Sequence, residues 1–260
     1  MTYLENYEVL SSKDLHEMRD ILARLTNTDE VDVIGKGREI DASLRCADLG
    51  GQSLLHITYG AVPTRVQTQA NDEDSLLLFI LTGGMAEVKH QGKTFDISPN
   101  TGLMRDKRNP LTAHQDAFES FVVPLSIDGL KQHARKLLGE EACLADIQFD
   151  VELDLTTPNG QHLRNTVTYI AGALDGPLYE AGNPILQAGL KDLLLTSVLS
   201  LLPNSATAAL QGRPKAVAVP YYVKRARDFI HAHADMAITL ETLARHAGCS
   251  YRSLQMAFND

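Results

Sequence analysis

The 260-residue sequence has few of the residues that form covalent cross-links or stack on large ligands. It contains three cysteines, Cys46, Cys143 and Cys249, which lie far apart and form no CxxC pair. It contains no tryptophan, and aromatic residues make up 6% of the chain. A disulfide framework and a cysteine-based zinc site are therefore not expected. This cysteine usage fits a reducing cytoplasm.

The sequence also lacks an export signal and a membrane-spanning stretch. Residues 1–8 show no basic start followed by an apolar run, and the most apolar stretch, residues 193–202, is too short to cross a bilayer. Hydrophobic residues nevertheless make up 44% of the chain, which is enough for one large core or two ordinary ones. We expect a folded, cytoplasmic protein that has no membrane partner.

Negative charge exceeds positive charge overall, but unevenly along the chain. The formal net charge is −9 at pH 7. From residue 214 onwards there are six Lys and Arg against four Asp and Glu, a balance of +2, which leaves −11 for residues 1–213. Because phosphate attraction is screened over roughly 8 to 10 Å in physiological salt, a basic C-terminal region can bind DNA beside an acidic region. The asymmetry permits DNA binding without indicating it.

Residues 41–123 have the pattern of β-strands separated by turns. Short apolar runs occur at 53–59, 76–81, 86–90, 94–97 and 120–123. Gly83-Gly84 marks a bulge or a turn between two of these runs. Closely spaced strands of this kind predict a small sandwich or barrel. In the first run, alternation places Leu54, His56 and Thr58 on a face of mixed polarity, as expected for the wall of a ligand cavity.

The pattern changes to helical periodicity after Pro124. Ser126 predicts the N-cap of a helix that ends near Gly139, and a second helix is predicted over 161–174. Asn183-Pro184 begins a third helix that runs to about residue 202. This helix carries an apolar stripe formed by Leu186, Leu190, Leu193, Leu194 and Leu201. Burial in its own domain and a homodimer seam both explain the stripe, and both can hold for different edges of one helix.

Residues 203–220 are small, polar and bounded by prolines, which predicts an interdomain linker. A helical pattern follows over 221–260. Its first helix has an apolar face of Tyr222, Ala226, Phe229 and Ile230, and its second has an inward face of Leu240, Leu243, Ala244 and Ala247. Thr239 caps the second helix, Gly248 allows a tight turn, and Ser250 caps a third helix. This order is typical of a helix-turn-helix.

The third predicted helix has one face free for recognition. That face carries Tyr251, Arg252, Gln255, Met256 and Asn259. Arginine pairs with guanine and glutamine with adenine in the major groove, while a capped helix N-terminus holds a phosphate. A small helical bundle without DNA-binding activity would share much of this pattern, so the pattern alone favours DNA recognition without excluding the bundle.

Residues 238–258 resemble the first helix-turn-helix of the AraC/XylS family of transcription regulators, whose pattern is roughly LxxLAxxxGxSxRxLxRxF. The upstream order of strands, helices and linker is similar to the family's cupin-like effector domain. The resemblance implies an α+β protein with an N-terminal cupin-like β-barrel or sandwich and dimerisation helices over 1–202. A linker over 203–220 and the first helix-turn-helix over 221–260 would follow.

The resemblance also implies partners and contacts. A homodimer, double-stranded promoter DNA, a small-molecule effector and RNA polymerase are the expected partners, and no cofactor is expected. In the family the third helix enters the major groove, which implies base contacts by Arg252, Gln255 and Met256. Met256 stands where the family usually has arginine, which puts one contact in doubt. The family continues with a linking helix and a second helix-turn-helix, so we expect residues 1–260 to bind an operator weakly.

An enzyme is the first alternative, because metal-dependent cupins perform oxygenation and isomerisation. Such sites need two or three imidazoles and a carboxylate around one ion. His56, His90 and His114 each stand alone, and the pair His231 and His233 falls in a predicted helix where residues two apart face different directions. No GxSxG, P-loop or HExxH motif occurs. We therefore predict a protein that is neither an enzyme nor a metal protein.

Two further alternatives are both regulators and differ in the function of the barrel. In one, it binds no small molecule and acts only in dimerisation or partner binding. In the other, the XylS-like branch of the family implies small aromatic or carboxylate effectors, which need a cation in the cavity. The candidate cations are Arg45, Arg65, Arg105 and Arg108, and the candidate hydrogen-bonding residues are His56, Thr58 and His114. The sequence names neither the effector nor the operator.

Overall fold

The computed structural model describes residues 2–26, 30–35, 39–139, 147–176, 183–207, 210, 221–233, 238–250 and 254. It divides the chain into two units, Met1–Gln211 and Gly212–Asp260. All the described strands lie in the first unit, and the elements described in the second are helices. The predicted α+β class, with a strand-rich N-terminal part, is confirmed.

Ten described strands form one antiparallel sheet in the first unit. They are β1 (Glu8–Ser12), β2 (Glu30–Val33), β3 (Ala42–Asp48), β4 (Ser53–Thr58), β5 (Thr64–Thr68), β6 (Ser75–His90), β7 (Lys93–Ile97), β8 (Thr101–Asp106), β9 (Leu111–Ser126) and β10 (Glu152–Asp154). The main hydrogen-bonded order is β1-β3-β4-β9-β6-β8-β10, while β5 joins β2 to β9 and β7 pairs with β6.

Strands β6 and β9 form a long antiparallel pair that bends in its middle. Its register shifts between Leu81 and Met85, where two glycines lie. Gly84 has a φ of 70°, and a Cβ there would lie 2.2 Å from the Ala117 carbonyl oxygen, so a larger residue does not fit. The bulge expected at Gly83-Gly84 is confirmed, and the two apolar runs around it belong to one strand. The bend folds the sheet into a cupin-like barrel.

Both faces of the sheet are buried along the first half of its central strand, β6, as the alternation of residues 76–81 shows. In β6, Leu76 and Leu78 belong to a core shared with helices, while Leu77 and Leu81 belong to a second core inside the barrel. Alternate residues therefore serve two different environments. The run is apolar on both faces because each face has its own cover.

Four helices are described in the first unit. They are α1 (Leu15–Thr26), α2 (Ile127–Leu138), α3 (Pro158–Asp175) and α4 (Pro184–Leu201). The Ser126 hydroxyl accepts from the Gly129 N–H at 3.2 Å, and the Asn183 side chain accepts from Ile185 and Leu186 at 3.1 Å. The predicted cap of α2 at Ser126 is confirmed, and α4 begins at Pro184 as predicted, with Asn183 as its cap. Buried residues of α2, α3 and α4 cover the outer face of the barrel.

The segment after α4 stays with the first unit. Asn204 Nδ2 donates to the carbonyl oxygens of Leu199 and Leu202 at 2.9 and 2.8 Å, which satisfies two carbonyls at the end of α4. Ala206 is buried in the core. The predicted linker begins at residue 203, but these contacts keep residues 203–207 on the first unit. The second unit contains the described helices α5 (Tyr221–Ala232) and α6 (Leu240–Ala247).

Candidate functional site

The interior of the barrel holds a cavity of about 560 Å³, including the space at its mouth. Its wall comes from α1 and from strands β4 to β9, and most of it is apolar. Ile57, Val66, Leu81, Leu103 and Phe118 are among these apolar side chains. A concave, mostly apolar site with a few polar groups is the usual form of a small-molecule site. The polar groups therefore decide what this cavity can bind.

One end of the cavity carries a buried cation. Arg105 on β8 is 1% exposed and lines the cavity. Its Nη1 donates to the carbonyl oxygen of Thr26, the last residue of α1, at 3.2 Å. Thr68 on β5 also lines the cavity, and its buried hydroxyl has no hydrogen-bond partner among the described residues. A guanidinium remains charged at all physiological pH values, so this end is permanently positive.

His90 connects the strand ends that carry Arg105 and Thr68. Its Nδ1 donates to the Pro110 carbonyl oxygen at 3.1 Å, and its Nε2 accepts from the Asp106 N–H at 3.3 Å. Along the sheet, His90 pairs with Leu111 and Leu111 with Thr68. Burial lowers the pKa of His90, which keeps the ring neutral for this pair of bonds. The contacts place Arg105 and Thr68 at the same end of the barrel.

The opposite end of the cavity lies near the bend in the pair of strands β6 and β9. Gln115 on β9 pairs with Thr64 on one side and Ala86 on the other. The Thr64 hydroxyl donates to Gln115 Oε1 at 3.1 Å, and both side chains are buried. Four residues separate Gln115 from Leu111, which is about 13 Å along a strand. The cavity is therefore elongated, with one polar group set apart from the cationic end.

The second unit has the helix and turn geometry predicted from its sequence. The Thr239 hydroxyl accepts from the Thr242 N–H at 3.2 Å at the start of α6, and Gly248 ends that helix with a φ of 75°. Beyond the turn, the Leu254 N–H donates to the Ser250 carbonyl at 3.1 Å, and Leu254 is fully buried. Ala226, Leu243, Ala244 and Ala247 complete this small core.

A family model described as the AraC-binding-like domain matches residues 18–200. That range contains the barrel with its cavity and nearly all of α4. The chain belongs to the AraC-binding-like domain family. The predicted membership of the AraC type of regulator is thereby confirmed.

Two similar proteins agree with the AraC-type assignment. A protein from Rhodococcus erythropolis named "Probable thc operon regulatory protein" is 28% identical over 254 residues, which cover 96% of this chain and 75% of the relative. The crystal structure of the AraC-like transcriptional activator CuxR matches with a TM-score of 0.52 and 17% identity, over 95% of this chain and 84% of CuxR. The first is named as an operon regulatory protein, and the second shows the shared fold.

In this AraC-type barrel, three predicted effector residues lie on the face away from the cavity or at its edge. His56 on β4 is 1% exposed and packs against Tyr3 and Phe121, with ring centroids 5.3 and 5.1 Å away. Arg45 pairs with His56 across the strands and donates to the Tyr3 carbonyl at 3.4 Å. The Thr58 hydroxyl accepts from the Gly60 N–H at 3.1 Å. The cavity face of β4 carries Ile57 instead.

Three other predicted effector residues lie outside the barrel. The outer face carries a cross-strand row of exposed ionisable residues in the order Asp96, Glu87, His114, Arg65 and Asp32. Arg65 and His114 belong to this row and do not line the interior. The third residue, Arg108, forms ion pairs with Asp74 and Asp106 at 3.1 and 2.9 Å. Of the four predicted arginines, the structure brings Arg105 alone into the cavity.

The predicted DNA-contacting residues fall at the edge of what the structure describes. Ser250 is exposed at the end of the turn. Tyr251, Arg252, Gln255, Met256 and Asn259 lie outside the described residues. In α6 the predicted inward position Leu240 is 38% exposed, because it is the first residue of the helix and lies beyond the small core. The other three predicted inward residues of α6 are buried.

The predicted stripe of α4 divides between its own core and the surface. Leu190 and Leu194 are buried in the core, and Leu186 and Leu201 pack against it. Leu193 is 39% exposed, and Ile185 on the same helix is 84% exposed. By length and composition α4 passes as a membrane span, but its buried side chains pack inside the first unit.

Sequence reasoning missed the polar cavity residues Thr26, Thr68 and Gln115. Alternation in β5 gave a signal for one of them, because Thr64, Val66 and Thr68 share a face. Thr26 and Gln115 have no comparable signal in the sequence, because neutral hydroxyl and amide side chains are common on surfaces as well. Among the described residues, no group of three His, Cys, Asp or Glu is placed to hold a metal ion.

Proposed function

We propose that this AraC-type regulator senses a small carboxylate-bearing molecule in its barrel and acts on promoter DNA in the cytoplasm. The observation that carries the proposal is Arg105, a permanent cation that is 1% exposed and lines a mostly apolar cavity. A guanidinium at the wall of an apolar cavity can donate charge-assisted hydrogen bonds to a carboxylate that enters there.

The rest of the cavity defines the remainder of the effector. A carboxylate accepts charge-assisted hydrogen bonds from a guanidinium, and the Thr68 hydroxyl is a further donor at the same end. The wall beyond them is apolar, with Tyr59 stacked against Phe118 at a centroid distance of 5.8 Å. Burial of an apolar body there contributes about 25 cal/mol per Å² removed from water. A small aromatic or aliphatic acid therefore fits best.

The DNA-binding part of the proposal rests on the second unit and on the family. The capped α6, the glycine turn at Gly248 and the turn of helix at Leu254 have the form of a helix-turn-helix. In this arrangement Arg252 and Gln255 contact bases, with Met256 beside them. Ser250, Tyr251 and Asn259 are the remaining residues proposed to contact DNA. Relatives named as regulators of transcription support this assignment.

Effector and DNA are linked by a shift between two states of the protein. An effector changes DNA binding only by the difference in its affinity for those states. The contact between Arg105 and the Thr26 carbonyl joins the effector site to α1. An anion at Arg105 competes with this carbonyl for the same guanidinium. A second copy that packs on α4 and, at the promoter, RNA polymerase complete the proposed partners.

A thermal-shift screen of small carboxylic acids, each tested beside its primary amide, examines the sensing proposal. We expect at least one acid to raise the melting temperature of the chain while its uncharged amide does so less. Arg108→Met serves as a control that should still be stabilised by the same acid, because Arg108 pairs with Asp74 and Asp106 outside the cavity. If no acid stabilises the protein, the proposal fails, and the barrel acts in dimerisation or partner binding alone.

A further inference from the structure

Gln115 lies between the cavity and a hollow on the outside of the barrel. Three residues, Ala86, Ile97 and Gln115, line both spaces. One layer of side chains therefore separates the cavity from the hollow at the end remote from Arg105. The outer wall of the hollow includes Met85, which is 63% exposed, and the acidic residues Glu87, Asp96 and Asp116. The hollow therefore lies beside the end of the cavity that is remote from Arg105.

The Gln115 amide is held in one orientation. The Thr64 hydroxyl donates to its Oε1 at 3.1 Å, and Thr64 is fully buried. This bond leaves the amide nitrogen, Nε2, as the remaining polar atom of the side chain. An amide nitrogen carries two hydrogens and donates only. Gln115 thus places a donor in the layer of side chains at the end of the cavity remote from Arg105.

We propose that Gln115 determines specificity by donating from Nε2 to an acceptor on the far end of the effector. This inference rests on the proposed function, because it takes the carboxylate of the effector to be bound at Arg105. The effector then has two polar ends: a carboxylate, an apolar body, and a neutral acceptor such as a carbonyl oxygen. The body spans part of the roughly 13 Å of strand between the two polar positions.

The hollow outside Gln115 excludes one class of far end. Glu87, Asp96 and Asp116 place three carboxylates around it. Glu87 and Asp96 stand directly opposite each other on β6 and β7. A second carboxylate on the effector would face this negative field with few positive groups to offset it. The protein is therefore selective for a monoacid with a neutral acceptor over a diacid.

A matched series of probes tests this specificity. Benzoate, phenylacetate and 3-phenylpropanoate are each prepared with a para-acetyl, a para-isopropyl or a para-carboxylate group. The acetyl and isopropyl groups have similar size, but only acetyl accepts a hydrogen bond. In the length that binds most tightly to the wild type, we expect calorimetry to give acetyl about three- to tenfold tighter binding than isopropyl. The diacid should bind most weakly.

Two variants assign the preference to Gln115. Gln115→Leu should remove the preference for acetyl over isopropyl while still binding the isopropyl acid, which also shows that the variant is folded. Gln67→Leu makes the same chemical change on the outer face of β5 and should keep the wild-type preference. Isopropyl binding as tightly as acetyl in the wild type, or an unchanged preference in Gln115→Leu, would overturn the inference.

The series separates this inference from the proposed function. If the acids bind but do not discriminate at the para position, a carboxylate site exists and the role of Gln115 is wrong. If none of the nine acids binds although acids of another kind do in the wider screen, the two-ended class is wrong and the carboxylate site stands. If no acid binds in either experiment, both proposals fall.

Discussion

Arg105 and His56 are both 1% exposed, but Arg105 is charged and His56 is neutral. The guanidinium of Arg105 stays protonated wherever it is placed. Burial, and next the neighbouring Arg45 guanidinium, lower the pKa of His56 to about 4. The Glu119 carboxylate lies 3.2 Å from His56 Nε2 but does not outweigh these effects. His56 is therefore a neutral core residue near pH 7.

His56 should make the first unit sensitive to acid. Between pH 6.5 and about pH 4, the His56 side chain is protonated in the unfolded chain but neutral in the folded protein. The free energy of unfolding therefore falls as the pH drops through this window, by about 2–3 kcal/mol for this one group. Urea unfolding of the wild type and of His56→Gln at about pH 7.5 and about pH 4.5 measures this loss.

The variant should lose less stability than the wild type over that pH range. His90 and His133, whose pKa values are also lowered mainly by burial, act in the same direction in both proteins and cancel in the comparison. His162→Gln, a change at an exposed histidine on α3, should keep the wild-type pH dependence. Equal losses in the wild type and His56→Gln would show that the His56 account is wrong.

Alternation in β4 shows which features of single residues could be predicted from the sequence. It correctly separates His56 and Thr58 from Ile57, because side chains alternate along a strand. It does not say which face lines the cavity, since residues on both faces of β4 are buried. The polar face suggests a ligand wall, but the cavity is lined by the apolar Ile57. The two environments depend on strands and helices that are distant in the sequence.

Helix α4 has a row of residues, including apolar side chains, that is exposed on the surface of the first unit. Ile185, Gly189 and Leu193 are exposed at intervals of four residues, so they form one row on the helix surface. A second copy of the chain is the proposed cover for this row. We expect the double variant Ile185→Glu and Leu193→Glu to convert a dimer into a monomer, measured by sedimentation equilibrium, because the new charges would repel across the seam.

A matched change on another helix controls for surface charge. Tyr169 on α3 is 63% exposed, and Tyr169→Glu should leave the dimer intact. The effector screen, repeated on the double variant, should still show stabilisation, because the substituted residues do not line the cavity. A monomeric wild type at micromolar concentration, or a dimeric double variant, would rule out this row as the seam.

Among the elements, those with local signals could be predicted. The caps at Ser126, Asn183 and Thr239 each act within three residues, and the structure has all three. Helix α1 also has a local signal, with Leu15, Met18 and Leu22 at spacings of three and four. Its role as a cavity wall could not be predicted, because it depends on a contact between Thr26 and Arg105 across 79 residues.

At the scale of the whole molecule, effector binding and DNA binding are proposed for regions of opposite net charge. Residues 1–213 carry a net charge of −11, and the helical region that follows carries +2. Phosphate contacts in that region supply affinity, while base contacts supply sequence selectivity. The family resemblance assigns base contact to Arg252 on the third helix. The acidic barrel, by contrast, has no need to approach the duplex.

Arg252 should therefore matter more for DNA binding than an exposed arginine on the barrel. Duplexes selected by the protein from a random pool provide the probe, and fluorescence anisotropy at fixed salt gives the affinity. We expect Arg252→Ala to weaken binding about 10- to 100-fold, because a bidentate base contact contributes roughly 1–3 kcal/mol. Arg65→Ala, on the outer face of the barrel, should have no effect. Equal affinities for the two variants would contradict the assignment.

The gain in affinity that an effector's carboxylate provides should depend on the charge of Arg105. One carboxylic acid from the screen and its primary amide are titrated by calorimetry into the wild type, Arg105→Met and Arg65→Met. We predict that the acid binds the wild type and Arg65→Met at least about tenfold more tightly than the amide, and that Arg105→Met loses this preference while it still binds the amide. A preference for the acid that persists in Arg105→Met would contradict anion sensing by the barrel.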